Sequence, residues 1–144
     1  MKQSAFRVVV IDGQGGRMGR QLVEEILRLL PEAELTAIGT NSIATASMLK
    51  GGVKNAATGE NAVLVASRTA DVIAGPIGIV MADALLGEIT PAMAAAVGAS
   101  QAKKVLIPVN RCGSTVAGVT VTSMGELIRL AAEEVQKCAL GQDG

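Results

Sequence analysis

The 144 residues include no histidine, no tryptophan and no tyrosine, and Phe6 is the only aromatic side chain. The lack of histidine removes the commonest general acid–base group and the commonest metal ligand. The lack of aromatic platforms argues against recognition of nucleic acid by base stacking. Lysine plus arginine and aspartate plus glutamate balance at 13 each, so no net field draws the chain to nucleic acid or to an anionic membrane. Cysteine is scarce too. Cys112 and Cys138 form neither a disulfide framework nor a metal-ligand spacing, and they read as two reduced, partly buried thiols. Metal binding is therefore not expected. The longest apolar stretch, Val72 to Leu86, is broken by Gly75, Pro76, Gly78 and Asp83, and it falls short of the about 20 residues that a bilayer span needs. No signal-peptide pattern precedes the first strand-like run. The expectation is a cytoplasmic protein bound to neither membrane nor nucleic acid.

What is present is aliphatic and small. Hydrophobic residues make up 49% of the chain and there are 17 glycines, so the core must be built from Val, Ile, Leu, Met and Ala in closely approaching layers, as where helices lie on a parallel sheet. The length suits one domain over residues 1–144, with 141–144 as a frayed tail. Arg7 to Asp12 (RVVVID) reads as a buried parallel strand. Gly16 to Leu30 follows with helical spacing: Met18, Leu22, Ile26 and Leu30 line one face, and Arg17, Arg20, Glu24 and Arg28 the other. Glu34 to Gly39 is a second strand, and Ser42 to Lys50 a short helix before Gly51 and Gly52. Val53 to Ala57 suggests a third strand. Glu60 to Arg68 fits either a strand or a helix; a short helix capped by Thr58 is preferred because the next strand follows at once. Asp71 to Gly75 is the next strand; Ile79 to Leu86 and Pro91 to Gly98 look helical. Lys103 to Val109 is another strand, and Val116 to Val121 a small extra one. A final helix runs from Ser123 to Ala139, where Ser123 and Glu126 have the spacing of a capping box. Alternating strands and helices predict an α/β fold: a single Rossmann-like, doubly wound domain of about five parallel strands with helices on both faces.

In such a sheet a ligand sits beyond the carboxyl ends of the strands. The segment there after the first strand is Asp12-Gly13-Gln14-Gly15-Gly16-Arg17-Met18-Gly19. A glycine-rich link from strand to helix has a physical logic. Gly13 permits a sharp turn, Gly15 or Gly16 lets a pyrophosphate approach the backbone, and Gly19 lets the helix lie close to the sheet. The helix start then offers N–H groups and a positive dipole end to the phosphate. No Gly-Lys-Ser/Thr follows, which excludes a Walker loop. Asp12 would repel a pyrophosphate unless it caps the turn. NAD-preferring sites place an acid after the second strand. Here Gly39, Thr40 and Asn41 stand there instead, and Arg17 is a candidate for a 2′-phosphate, so the pattern leans to NADP over NAD.

Val9 to Leu22 resembles the NAD(P)H-binding turn of dihydrodipicolinate reductases, through Gly-Arg-Met-Gly-Arg after a strand. The resemblance covers about the first thirty residues, and it implies cofactor contacts by Gly13, Gly15, Gly16, Arg17, Met18 and Gly19. That family's catalytic histidine pair, lysine motif and substrate domain have no counterpart here, so no reaction is implied. The whole chain is similar to a small bacterial family of uncharacterised Rossmann-like proteins, a domain of unknown function. The likeness lies in the Ile-Asp-Gly-Gln-Gly-Gly opening, Gly39-Thr40-Asn41, Ala57 to Asn61, Gly75-Pro76-Ile77-Gly78, Leu86 to Pro91 and Ile107 to Asn110.

Further candidates stand at other strand ends. Gly75, Pro76 and Ile77 end a central strand, where the chain either passes under a cofactor ring or simply turns. Glu60 and Asn61 suit a ribose or substrate, though Thr58 with Glu60 is also an ordinary helix start. Asn110, Arg111 and Cys112 follow the last main strand. Arg111 suits a carboxylate or phosphate, while nothing nearby in sequence activates Cys112. Leu85, Leu86, Ile89 and Met93 fit either a homodimer surface or plain core. The sequence thus predicts a dinucleotide-binding protein, taking NADP or NAD as a small-molecule partner and either a small oxidoreductase or a non-catalytic module that senses a cofactor or docks on a partner enzyme.

Overall fold

A computed structural model describes residues 5–109, 114–120 and 123–142. Five strands form one all-parallel sheet: β1 (Arg7–Asp12), β2 (Glu34–Gly39), β3 (Asn55–Thr58), β4 (Val72–Pro76) and β5 (Lys103–Ile107), in the order β3-β2-β1-β4-β5. The helices are α1 (Arg17–Leu29), α2 (Ser42–Lys50), α3 (Glu60–Ser67), α4 (Pro91–Ala99) and α5 (Met124–Ala139). This is the expected α/β fold, and the strand order is compatible with a Rossmann-like arrangement. Among the described residues, no helix is long and apolar enough to cross a membrane.

Alternation along the central strand divides the core in two. Val8 and Val10 of β1 pack with Leu22, Val23 and Ile26 of α1, Met48 of α2, and Ala132 and Val135 of α5. Val9 and Ile11 face the other way, onto Val63 of α3 and Met93, Ala94 and Val97 of α4. Helices therefore cover both faces, and β1 is buried over five consecutive residues, Val8 to Asp12, as a doubly covered parallel strand must be. Full burial of a side chain such as Leu22 or Ile26 stabilises by about 1.5–3 kcal/mol. Strand order reverses between β1 and β4, which opens a crevice above their carboxyl ends.

Several local expectations need correction. The segment from Ile79 to Leu86 is not a helix. A 3₁₀ turn spans Ile77–Val80, and the chain then passes through left-handed conformations at Asp83 (φ 65°), Leu85 (φ 58°), Leu86 (φ 57°) and Gly87 (φ 89°). The helical spacing of its apolar residues misled because Ile79 and Ile89 are both core residues reached from a loop. Thr58 does not cap α3. Gly59 occupies the cap position with no side-chain bond, and the Thr58 hydroxyl pairs with that of Thr45 at 2.7 Å. The described part of the small strand expected at Val116 to Val121, up to Thr120, is instead a turn, in which the Val119 N–H donates to the Val116 carbonyl; Val121 lies outside the described residues. Ile89 and Met93 are buried core, whereas Leu86 is 94% exposed. Ser123 caps α5 as expected, accepting from the Glu126 N–H at 3.3 Å, but the reciprocal half of the capping box is not formed, since the Glu126 carboxylate accepts from Arg129.

Candidate functional site

The strand-to-helix turn is held from both sides by carboxylates. Asp12, at the end of β1, is buried and points under the turn: one oxygen accepts from the Gly13 N–H at 2.8 Å and the other from the Gly19 N–H at 2.7 Å. Burial pushes its carboxyl above the ordinary aspartate range, the two N–H bonds oppose that, and the nearby charge of Glu88 adds to it. Asp12 is thus the cap of the turn, with both oxygens committed to the backbone.

The tight backbone of the turn falls at Gln14 (φ 51°) and Gly16 (φ 71°), not at Gly13. A side chain at Gly16 would meet the Ala44 backbone of α2 at 2.6 Å, so this glycine serves packing between the start of α1 and α2. At Gly19 an added Cβ would meet Asp12 Cβ at 2.7 Å and Met48 Sδ at 2.6 Å, which is the expected close seat of the helix on the sheet. Gly15 differs: it is exposed, and an added Cβ would find nothing within 4 Å. Of the two glycines expected to admit a phosphate, only Gly15 faces open space.

The bonds that close the turn account for five of its N–H groups. Gly13 and Gly19 donate to Asp12, Gln14 donates to Glu88, Gly16 to the Gly13 carbonyl, and Arg20 to the Gly16 carbonyl. The N–H groups of Gly15, Arg17 and Met18 take part in none of them. Arg17 and Met18 open α1, Gly15 precedes its cap, and the cap residue Gly16 supplies no side-chain acceptor.

Beside this turn lies an open cleft of about 870 Å³, at the crevice between β1 and β4. Asp12 to Met18 form its floor and one wall; Pro76, Leu85 and Val109 follow, and Met124, Gly125 and Ile128 at the start of α5 close the far side. Two helix N-termini, of α1 and α5, therefore meet at one cavity. Its outer edge carries Gln21, Glu24 and Glu25. Both glutamates are paired along α1, Glu24 with Arg20 at 3.2 Å and Glu25 with Arg28. Arg17 is exposed on the cleft wall, and its side chain makes no hydrogen bond or ion pair with another described residue.

The other predicted residues disperse. Pro76 lines the cleft, while Ile77 begins the 3₁₀ turn. Gly39 and Gly75 are packing positions, against Thr45 and the Ile11 carbonyl respectively. Glu60 accepts a hydrogen bond from Thr90, the cap of α4, tying α3 to α4 away from the cleft lining, and Asn61 is exposed on α3. Asn110, Arg111 and Cys112 lie outside the described residues. Thr40 and Asn41 form a second polar cluster with Glu88, whose Oε1 accepts from the Thr40 hydroxyl at 2.5 Å, the Asn41 amide at 2.9 Å and the Gln14 N–H at 2.8 Å. Burial alone would raise the Glu88 carboxyl, but these three donors together hold it below the ordinary glutamate range. Sequence reasoning missed Glu88 as a site residue because its partners are 47 to 74 residues away; its signs were its place in the Leu86 to Pro91 segment of the family likeness and in a turn-rich stretch after a central strand.

The chain belongs to the family described as Domain of unknown function (DUF3842), whose model matches residues 7–140. Comparison with curated proteins and with solved structures finds no match.

Proposed function

We propose that this DUF3842 member binds a dinucleotide, NAD or NADP, with the pyrophosphate against the glycine turn and the start of α1. One observation carries this reading: the N–H groups of Gly15, Arg17 and Met18 are left over from the bonds that close the turn, beside a cleft at the strand-order reversal. Uncommitted donors at the positive end of a helix suit a phosphate. The open space over Gly15 admits one to the backbone, and Arg17 adds a cation at the wall. Leu85, Val109, Met124 and Ile128 provide an apolar side suited to a ring, and the volume falls within the range of small-molecule sites.

A non-catalytic, cofactor-sensing module is favoured over a small oxidoreductase by the state of the acids around the cleft. Asp12 is spent on two backbone N–H groups, Glu24 on Arg20 and Glu25 on Arg28. In the oxidoreductase reading, hydride chemistry would belong to the nicotinamide. Calorimetric titration with NAD, NADP, S-adenosylmethionine and ATP tests the reading. A dinucleotide is expected to bind and to raise the melting temperature by mass action, with about 2.7 kcal/mol of stabilisation at a hundredfold excess over Kd. If none of the four shifts the melting temperature at millimolar concentration, the reading fails; if only S-adenosylmethionine does, the turn serves a different nucleotide.

A further inference from the structure

The residues that follow β2 contain no acid of their own, yet the fold brings one to them. Glu88 stands in the loop before α4, 48 residues beyond Thr40, and its carboxylate lies between the glycine turn and the end of β2. Its Oε1 takes three donors: the Gln14 N–H from the turn, and the Thr40 hydroxyl and Asn41 amide from the residues after β2. A Cβ on Gly13 would stand 2.8 Å from the same oxygen, so the carboxylate sits directly against the first glycine of the turn. Asn41 is itself fixed. Its amide also donates to the Gln14 carbonyl at 3.0 Å, and its oxygen accepts from the Ala44 N–H at 2.9 Å. The loop that carries Glu88 is closed by its own backbone bonds, from Asp83 N–H to the Ile89 carbonyl at 2.7 Å and from Ile89 N–H to the Ala84 carbonyl at 3.1 Å. None of the three donors to Glu88 reaches Oε2.

We infer that Glu88 is the specificity-determining acid of the nucleotide site, accepting the adenosine ribose hydroxyls through Oε2, so that the site takes NAD and rejects NADP. The inference rests on the dinucleotide reading above. In dinucleotide sites of this sheet type the ribose hydroxyls lie at the end of the second strand and are held there by an acid, whereas a 2′-phosphate needs a cation. Here the carboxylate arrives from the β4 side of the sheet and occupies that place. A 2′-phosphate would meet a fixed negative charge with no cation among its hydrogen-bond partners. Arg17 does not relieve this: it lines the cleft, while the side of α1 turned to α2 carries Gly16 and Val23. The lean to NADP drawn from the missing acid after β2 is thereby reversed.

Calorimetric titration of the full chain with NAD, NADP and 2′-deoxy-NAD tests this, with Glu88→Gln as the paired variant. Wild type is expected to bind NAD at least about tenfold more tightly than NADP, and 2′-deoxy-NAD about tenfold more weakly than NAD, as loss of a charged hydrogen bond predicts. In Glu88→Gln both differences should shrink towards unity. The wild-type comparison of NAD with 2′-deoxy-NAD needs no variant, so the inference stays testable if Glu88→Gln folds poorly. Equal or tighter binding of NADP by wild type overturns the inference while leaving the dinucleotide reading intact. Tighter NAD binding by Glu88→Gln also overturns it, since the carboxylate would then be an internal occupant that the ligand displaces. Absence of binding by NAD and NADP alike defeats the dinucleotide reading itself.

Discussion

The glycine turn and the loop between β4 and α4 each send a carboxylate to the same end of the sheet, and the two are held in opposite ways. Asp12 is buried beneath the turn, bonded only to backbone within seven residues, and its carboxyl is pushed up by burial. Glu88 reaches the turn from a distant loop, is bonded by a hydroxyl, an amide and an N–H, and its carboxyl is held down by them. The first shapes the turn through the local chain; the second braces it through tertiary structure. Local order and assembled order are thus separable by mutation.

The largest expected effect is on the local side. Asp12→Ala leaves the Gly13 and Gly19 N–H groups without their acceptor in a buried place, and should cost about 1–3 kcal/mol in denaturant unfolding. A loss below a few tenths would mean that the turn closes without its cap, and the contrast between the two acids would collapse.

Glu88→Gln should cost less, about 1 kcal/mol at neutral pH, because the amide oxygen keeps its acceptor role while the charge is lost. Its pH dependence sharpens the comparison. The folded carboxyl of Glu88 titrates below the ordinary value of 4.5, so its contribution is present above that pH and fades as pH falls through the lower folded value. The stability gap between wild type and Glu88→Gln, followed by melting temperature, should therefore close on acidification. Asp12 has the opposite sign. Its folded carboxyl lies above the ordinary 3.8, so its contribution is greatest below that pH and is lost as pH rises through the folded value. The gap between wild type and Asp12→Asn should shrink as pH rises. Parallel pH trends for the two variants would contradict the assignment.

The smallest effect is a gain. Leu86 is 94% exposed and left-handed at φ 57°, so it gives up backbone energy with little packing in return. Leu86→Asn should stabilise the chain by about 0.5–1 kcal/mol in the same unfolding measurement. A destabilised variant would show that Leu86 packs against something this conformation leaves open.

The same division explains what was legible in the sequence. β1, α1, β2 and α2 follow from apolar periodicity and glycine punctuation, which act within a few residues, and their bounds agree closely with the structure. So does the cap of α5 at Ser123. The segment from Ile77 to Thr90 was not legible. Its apolar spacing is helical, but the residues that bury, Ile79 and Ile89, anchor two ends of a loop. The glycine pattern identified the turn but not each glycine's part: Gly16 is demanded by its φ of 71° and by Ala44, a residue on another helix. Thr40 and Asn41 were singled out, yet the partner that gives them a purpose is absent from any local window.

Gly15 separates binding from folding most cleanly, because its φ is not left-handed and an added Cβ has nothing within 4 Å. The direct measurement is calorimetric titration of NAD and NADP into wild type and Gly15→Asp, with unfolding followed in parallel. The account predicts an unfolding free energy unchanged within about 0.5 kcal/mol and an affinity at least about thirtyfold weaker in the variant. Equal affinity in the two proteins would contradict a phosphate seated on the glycine turn.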